Sequence, residues 1–123
     1  MGRWGTKAWE NDSAMDWYER WMMETDFIDQ IDRTLAFDVQ EDFQEIRAAA
    51  SMLWMLNEPD IWPVGYYLQF VERAVIKLQE ILSSGVYANP EMITEVEQEL
   101  EKLQAIQQQF NVDSSKLDKQ LEP

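Results

Sequence analysis

At 123 residues and 46% apolar composition, the chain is long enough for one domain with its own core, and it contains no histidine and no cysteine. Those absences exclude a Ser-His-Asp triad, a Cys-His dyad, disulfides, and every metal site built on imidazole or thiolate. The net charge of −14 works against direct binding of nucleic-acid phosphates or anionic lipid, and fits either a basic protein partner or plain solubility.

The first seventeen residues, MGRWGTKAWENDSAMDW, concentrate two glycines, three tryptophans and an Asn-Asp pair. Acids and tryptophans stand where a secretory signal would carry a basic stretch and then an apolar one. No run approaches the roughly eighteen apolar residues of a membrane span, so the expectation is a soluble cytoplasmic protein. Asp12 and Ser13 are expected helix N-caps, with Ser13 and Asp16 spaced as an acidic capping box. Behind them Ala14, Trp17, Tyr18, Trp21 and Met22 share one helix face, which predicts Trp17 and Trp21 in the core. Thr25 or Asp26 interrupts this segment, and Phe27, Ile28, Ile31 and Leu35 continue as a second short helix.

Residues 37–41 read as a turn, and Glu41 and Asp42 favour the start of the next helix. That helix carries Phe43, Ile46, Ala50 and Leu53 beside Ala49, Met52 and Leu56, an arc wide enough to predict the central, most buried helix. Pro59 and Pro63 bracket Ile61 and Trp62 in an extended connector. The following helix is predicted over 63–83, with Tyr67, Val71, Ala74, Val75, Leu78 and Leu82 inward and Gly85 as its stop. Asn89-Pro90-Glu91 is a strong helix start: an Asn cap, Pro at the first position and an acid in the first turn. A narrow seam of Ile93, Val96, Leu100, Leu103, Gln107 and Phe110 then forms the last helix. Together these elements predict an all-α bundle of four to five helices over residues 1–110. The Gly/Trp-rich residues 1–12 would pack over one end, and 111–123 would be a polar tail, poorly ordered or loosely docked.

The acids are uneven, with twelve Asp/Glu against two Arg in residues 8–46. Asp26, Asp29 and Asp32 are spaced by three, and Asp38, Glu41, Asp42 and Glu45 cluster around the next turn. Oxygen ligands suit Ca²⁺ or Mg²⁺, but no D-x-D-x-D-G loop is present, and a solvated acidic face is the simpler reading. Paired carboxylates can also cleave a glycosidic bond, given a cleft at the right separation. Gly2 and Gly5 lack the Lys-Ser/Thr of a phosphate loop. Trp54 and Trp62 are candidate exposed anchors, and Trp62 with Tyr66 is the expected exposed aromatic patch. Trp4, Trp9, Asn11, Asp12 and Asp16 form a block with two readings. It is a fold element that covers the core and caps a helix, or a site for a small polar ligand or peptide.

This block resembles a bacterial family known as domain of unknown function 4259, whose members open with a G-x-W-G-x-x-x-F-x-N-D-x-A-x-D-W pattern. Gly2, Trp4, Gly5, Asn11, Asp12, Ala14, Asp16 and Trp17 fit, Thr6 matches a common choice, and Trp9 replaces the usual Phe. Arg3, Lys7 and Glu10 depart from the pattern, Lys7 standing where glycine is frequent. The resemblance implies a small bacterial α-helical protein and carries no activity, cofactor or catalytic residue. The expected function is a non-enzymatic protein–protein interaction module, immunity- or adaptor-like, without cofactor or metal, acting by surface occlusion of a basic partner. Acids such as Asp26, Asp29, Asp32, Glu41 and Asp42 would steer association, and Trp62 and Tyr66 would anchor it. The alternatives are a small-ligand or divalent-cation site at Asn11, Asp12 and Asp16, and a hydrolase that uses carboxylates alone.

Overall fold

The computed structural model describes residues 5–63 and 65–121, with side chains described up to residue 110. Among the described residues there are five α-helices and no strand: α1 (Asp12–Glu24), α2 (Phe27–Thr34), α3 (Val39–Met55), α4 (Tyr67–Ser84) and α5 (Pro90–Leu121), with a 3-10 turn at Pro59–Ile61. The protein is an all-α bundle, as the helical spacing predicts. Gly2 and Trp4 lie outside the described residues.

The cap of α1 is Asn11, not Asp12 or Ser13. Asn11 is extended (φ −159°, ψ 156°), its Oδ1 accepts from the Ala14 N–H at 2.8 Å, and its Nδ2 donates to the Ala8 carbonyl at 3.4 Å. The side chain thus satisfies a first-turn N–H that has no partner within the helix. Asp12 becomes the acid of the first turn, facing the positive end of the dipole. At the other end Thr25 leaves helical conformation (φ −95°, ψ 168°). Its hydroxyl donates back to the Trp21 carbonyl and accepts from the Phe27 N–H, so one side chain closes α1 and opens the separate α2.

Helix α3 starts at Val39, inside the predicted turn, because Asp38 caps it: Asp38 Oδ1 accepts from the Gln40 N–H at 2.8 Å. The acid pair read as its start marks a kink instead, with Asp42 at φ −119°, ψ 28°. Helix α4 begins at Tyr67 rather than Pro63, because Gly65 sits at φ 90° and interrupts any right-handed turn there. Gly85, at φ 78°, ends α4 as expected. Asn89 Oδ1 accepts from the Glu91 N–H at 2.8 Å, and α5 starts at Pro90. The helix runs on through the polar segment to Leu121.

Helix α4 is the more deeply buried: it buries seven residues against five in α3, although α3 touches α2 as well as α4 and α5. Phe70 and Ile81 widen its apolar face enough to serve two neighbours, whereas two of the five in α3 are alanines that bring little area. Trp9 packs against this core from the N-terminal segment.

Two buried polar contacts fasten the C-terminal end of α3. The Tyr67 hydroxyl donates to the Leu53 carbonyl at 2.8 Å, and the Trp62 indole donates to the Leu56 carbonyl at 2.8 Å. Both carbonyls lie where a helix end leaves acceptors without intrahelical partners. Burial, reinforced by the Glu58 carboxylate, raises the Tyr67 phenol above its ordinary pKa and keeps it a donor. Glu99, buried on α5, accepts from Arg47 of α3 through Nε at 2.8 Å and Nη2 at 2.6 Å. The Tyr87 hydroxyl accepts from Arg47 Nη1 at 3.5 Å. The bonds from Glu99 raise the Arg47 pKa against the opposing effect of burial, so the guanidinium stays charged.

Candidate interaction surface

Helix α1 buries a single residue, Met22. At 3.6 residues per turn, Trp21 lies about 100° and Trp17 about 140° around the helix from Met22. The apolar arc of α1 is therefore broader than the contact it makes with α2 and the 3-10 turn. Tyr18 and Met22 fill that contact, while Trp17 stays 56% exposed and Trp21 36% exposed. Their expected place in the core is thus corrected: the spacing identified the apolar face but not how much of it would be covered.

The exposed indoles are held in place by a ladder of rings. Trp17 and Trp21 stack with centroids 6.4 Å apart and planes 18° apart, and Tyr18 meets Trp17 edge-on at 5.2 Å. Trp21 stacks on Phe27 at 5.1 Å, and Phe27 leans on Trp62 at 5.5 Å. Trp62 in turn touches Tyr67 at 5.2 Å and Phe70 at 6.4 Å, deep in the bundle. Stacked and edge-on rings at these separations are mutually attractive. The ladder runs from solvent at Trp17 into the core at Trp62 and positions two large apolar faces on the surface.

Trp62 is consequently not the exposed anchor that the sequence predicts. It is 4% exposed, with its indole N–H bonded, so the expected Trp62–Tyr66 patch reduces to Tyr66, which is 36% exposed and leans on Phe70. Two prolines around an aromatic resemble an exposed loop, but here the connector folds into a 3-10 turn that seals the bundle.

Around the two indoles, residues 12–34 carry seven carboxylates (Asp12, Asp16, Glu19, Glu24, Asp26, Asp29, Asp32), all exposed, against Arg20 and Arg33. The Asp26–Asp29–Asp32 series does not act as a unit. Asp29 pairs with Arg33 at 3.3 Å, Asp32 pairs with Arg73 of α4 at 2.6 Å, and Asp26 occupies the N-cap position of α2. Glu41 and Asp42 lie in the first turn of α3, at its kink. Among the described residues no group of three or more acids is arranged to hold a metal ion, and no helix is long and apolar enough to cross a membrane.

The N-terminal block is tied together by its own backbone. The Glu10 N–H donates to the Lys7 carbonyl at 3.0 Å, and Glu10 Oε1 accepts from the Lys7 N–H at 3.1 Å. Gly5 lies in a bend, and a Cβ there would meet only the movable end of the Glu10 side chain. Asn11, which the spacing leaves without a role, is the cap. Asp16 is exposed on α1 and has no hydrogen-bond or ion-pair partner among the described residues. Comparison with protein-family models, curated proteins and solved structures gives no match. The class defined by fold and surface is a small all-α bundle with an acid-rimmed, exposed aromatic face.

Proposed function

We propose that the protein is a non-enzymatic interaction module, immunity- or adaptor-like, that acts in the cytoplasm by covering the surface of a basic protein partner with its α1–α2 face. The observation that carries this reading is the exposed Trp17–Trp21 stack, held by rings that reach the core and surrounded by an excess of carboxylates. Tryptophan is among the side chains that most often dominate binding energy, provided its ring is fixed before the partner arrives. The surrounding negative charge raises the encounter rate with a basic surface, and the indole faces attract the Arg and Lys side chains that such a surface brings. The N-terminal block, with Asn11 as the cap of α1, supports membership of the domain of unknown function 4259 family as part of the same proposal.

The experiment is affinity capture with the full chain, followed by binding measurements on the recovered partner. Trp17→Ala with Trp21→Ala is expected to abolish binding while the melting temperature stays close to that of the parent. Raising salt is expected to lower the association rate steeply, because exposed charges are screened beyond roughly 10 Å at 0.1 M ionic strength. A partner that is retained by the double variant, or that binds independently of salt, refutes the reading.

A further inference from the structure

Helices α1 and α2 meet at two residues, Thr25 and Asp26, in the run Met22-Met23-Glu24-Thr25-Asp26-Phe27-Ile28-Asp29, which contains neither glycine nor proline. One torsion there is far from helical. Thr25 has φ −95° and ψ 168°, where a helix has ψ of about −42°, whereas Asp26 lies close to the helical region at φ −77° and ψ 13°. The extended residue is held by its own hydroxyl, which donates to the Trp21 carbonyl and accepts from the Phe27 N–H at 3.4 Å. Asp26, in the N-cap position, adds no side-chain bond. Both residues are exposed, so the core does not enclose the bend.

The contacts that hold α1 in its bent position are few. The helix buries Met22 alone, and its close packing is with α2 and the 3-10 turn. The ring ladder adds one contact across the junction, Trp21 on Phe27 at 5.1 Å. On one straight helix, two residues six positions apart stand about 120° apart around the axis and about 9 Å apart along it, so this stack exists only in the bent form. In return, a straight helix would join the first N–H groups of α2 to the last carbonyls of α1, groups that the break leaves without intrahelical partners.

We propose that α1 and α2 form an elbow with two positions. In the bent position the ladder is whole and Met22 is seated in the core. In the in-line position ψ of Thr25 turns helical, α1 and α2 continue as one rod, Met22 leaves its seat and Trp21 leaves Phe27. The elbow thereby governs whether the Trp17–Trp21 face is carried on the core. That consequence rests on the proposed role of the face, whereas the elbow itself is tested without any partner.

The chain has no cysteine, so spin labels at Ser13→Cys and Gln79→Cys, both exposed positions, report the distance from α1 to α4 in the full chain by pulsed electron paramagnetic resonance. Ser13 stands near the far end of α1 from Thr25, about 18 Å along the helix, so the swing moves it widely. The otherwise unchanged chain is expected to show chiefly one distance. Thr25→Ala removes the hydroxyl bonds and adds the strongest helix former, and it should raise a second, separate distance population about fivefold, the effect of a lost cap. Adding Met22→Ala should make that population the larger one, with helical content by circular dichroism retained. Asp26→Pro in the Thr25→Ala chain should restore the single distance, because proline fits a φ of −77° and keeps the residue before it extended. A distribution unchanged in both Thr25→Ala and the Met22→Ala, Thr25→Ala double variant overturns the proposal. So does a broad distribution with loss of the 13 helical residues of α1, which is unfolding and not a swing. A second population that survives Asp26→Pro overturns it as well.

Discussion

Removing the Glu99 carboxylate probes the one ion pair among the described residues that ties α3 to α5 across the bundle. The Glu99 side chain is 10% exposed and that of Arg47 20%, and the two are joined by bonds of 2.8 and 2.6 Å. Glu99→Ala leaves a charged guanidinium largely out of water, with only the Tyr87 hydroxyl at 3.5 Å for company. Breaking a buried pair in this one-sided way costs about 3–5 kcal/mol. Arg47 keeps a fifth of its surface in water, which lowers the expectation to about 2–3 kcal/mol. A chain of 123 residues has an unfolding entropy of about 0.26 kcal/mol/K, so each kcal/mol is worth about 4 °C. Glu99→Ala is therefore expected to lower the melting temperature by about 8–12 °C. The double variant Arg47→Met, Glu99→Leu fills the same space without charge and should recover to within about 1 kcal/mol of the parent. Thermal and urea unfolding of the parent, Arg47→Met, Glu99→Leu and the double variant measure the coupling directly. A Glu99→Ala melting point within about 1 °C of the parent, or single effects that simply add, would refute the reasoning.

Asn11→Ala should cost about 1 kcal/mol of stability, and Asn11→Ser should restore most of it, since either side chain can accept from the Ala14 N–H; chemical denaturation reads both. Trp17→Ala should change stability by less than about 1 kcal/mol, because the ring is mostly in solvent. Trp62→Ala should cost about 3–5 kcal/mol, because that ring is buried and bonded to the Leu56 carbonyl. Equal effects at the two positions would contradict the surface described. Because the folded Tyr67 phenol is raised above its ordinary value of 10.0, the folded chain holds a proton that the unfolded chain has lost. Its contribution is complete below that pH and is lost as pH rises above it, so Tyr67→Phe should flatten the alkaline decline in stability.

Local signals in the sequence are reliable where one residue's chemistry decides the outcome. Asn89 before Pro90 opens α5, Gly85 closes α4, and the break near Thr25 separates α1 from α2. The alternation of Tyr66 outward and Tyr67 inward follows the helical period in the same way. Errors arise where two local candidates compete. Asn11, Asp12 and Ser13 can each cap a helix, and the winner is the one that also reaches the Ala8 carbonyl. Asp38 takes the start of α3 from Glu41 and Asp42 because its carboxylate accepts from the Gln40 N–H.

The surface was the least legible part. Trp17 and Trp62 are the same residue type, and their surroundings in sequence point the wrong way for both. Trp17 lies on a regular apolar stripe yet faces solvent, and Trp62 lies between prolines yet sits in the core. The sequence points to the wrong tryptophan because exposure depends on what covers a face, and among the described residues Trp17 on the far edge of α1 stays mostly in solvent. The Arg47–Glu99 pair spans 52 residues, and the Trp54–Lys102 contact joins the same two helices. No spacing rule relates such positions.

The sequence by itself determined the helical class, the main helix boundaries, the net charge and the kinds of chemistry that the lack of histidine and cysteine forbids. Those properties depend on residue type and on interactions within a few positions of the chain. Only the tertiary structure decided that α4 buries more than α3, which tryptophans reach solvent, and which acid is buried against an arginine. Each of those depends on how much of an apolar arc a neighbouring helix covers, and that follows from the packing of all the helices together.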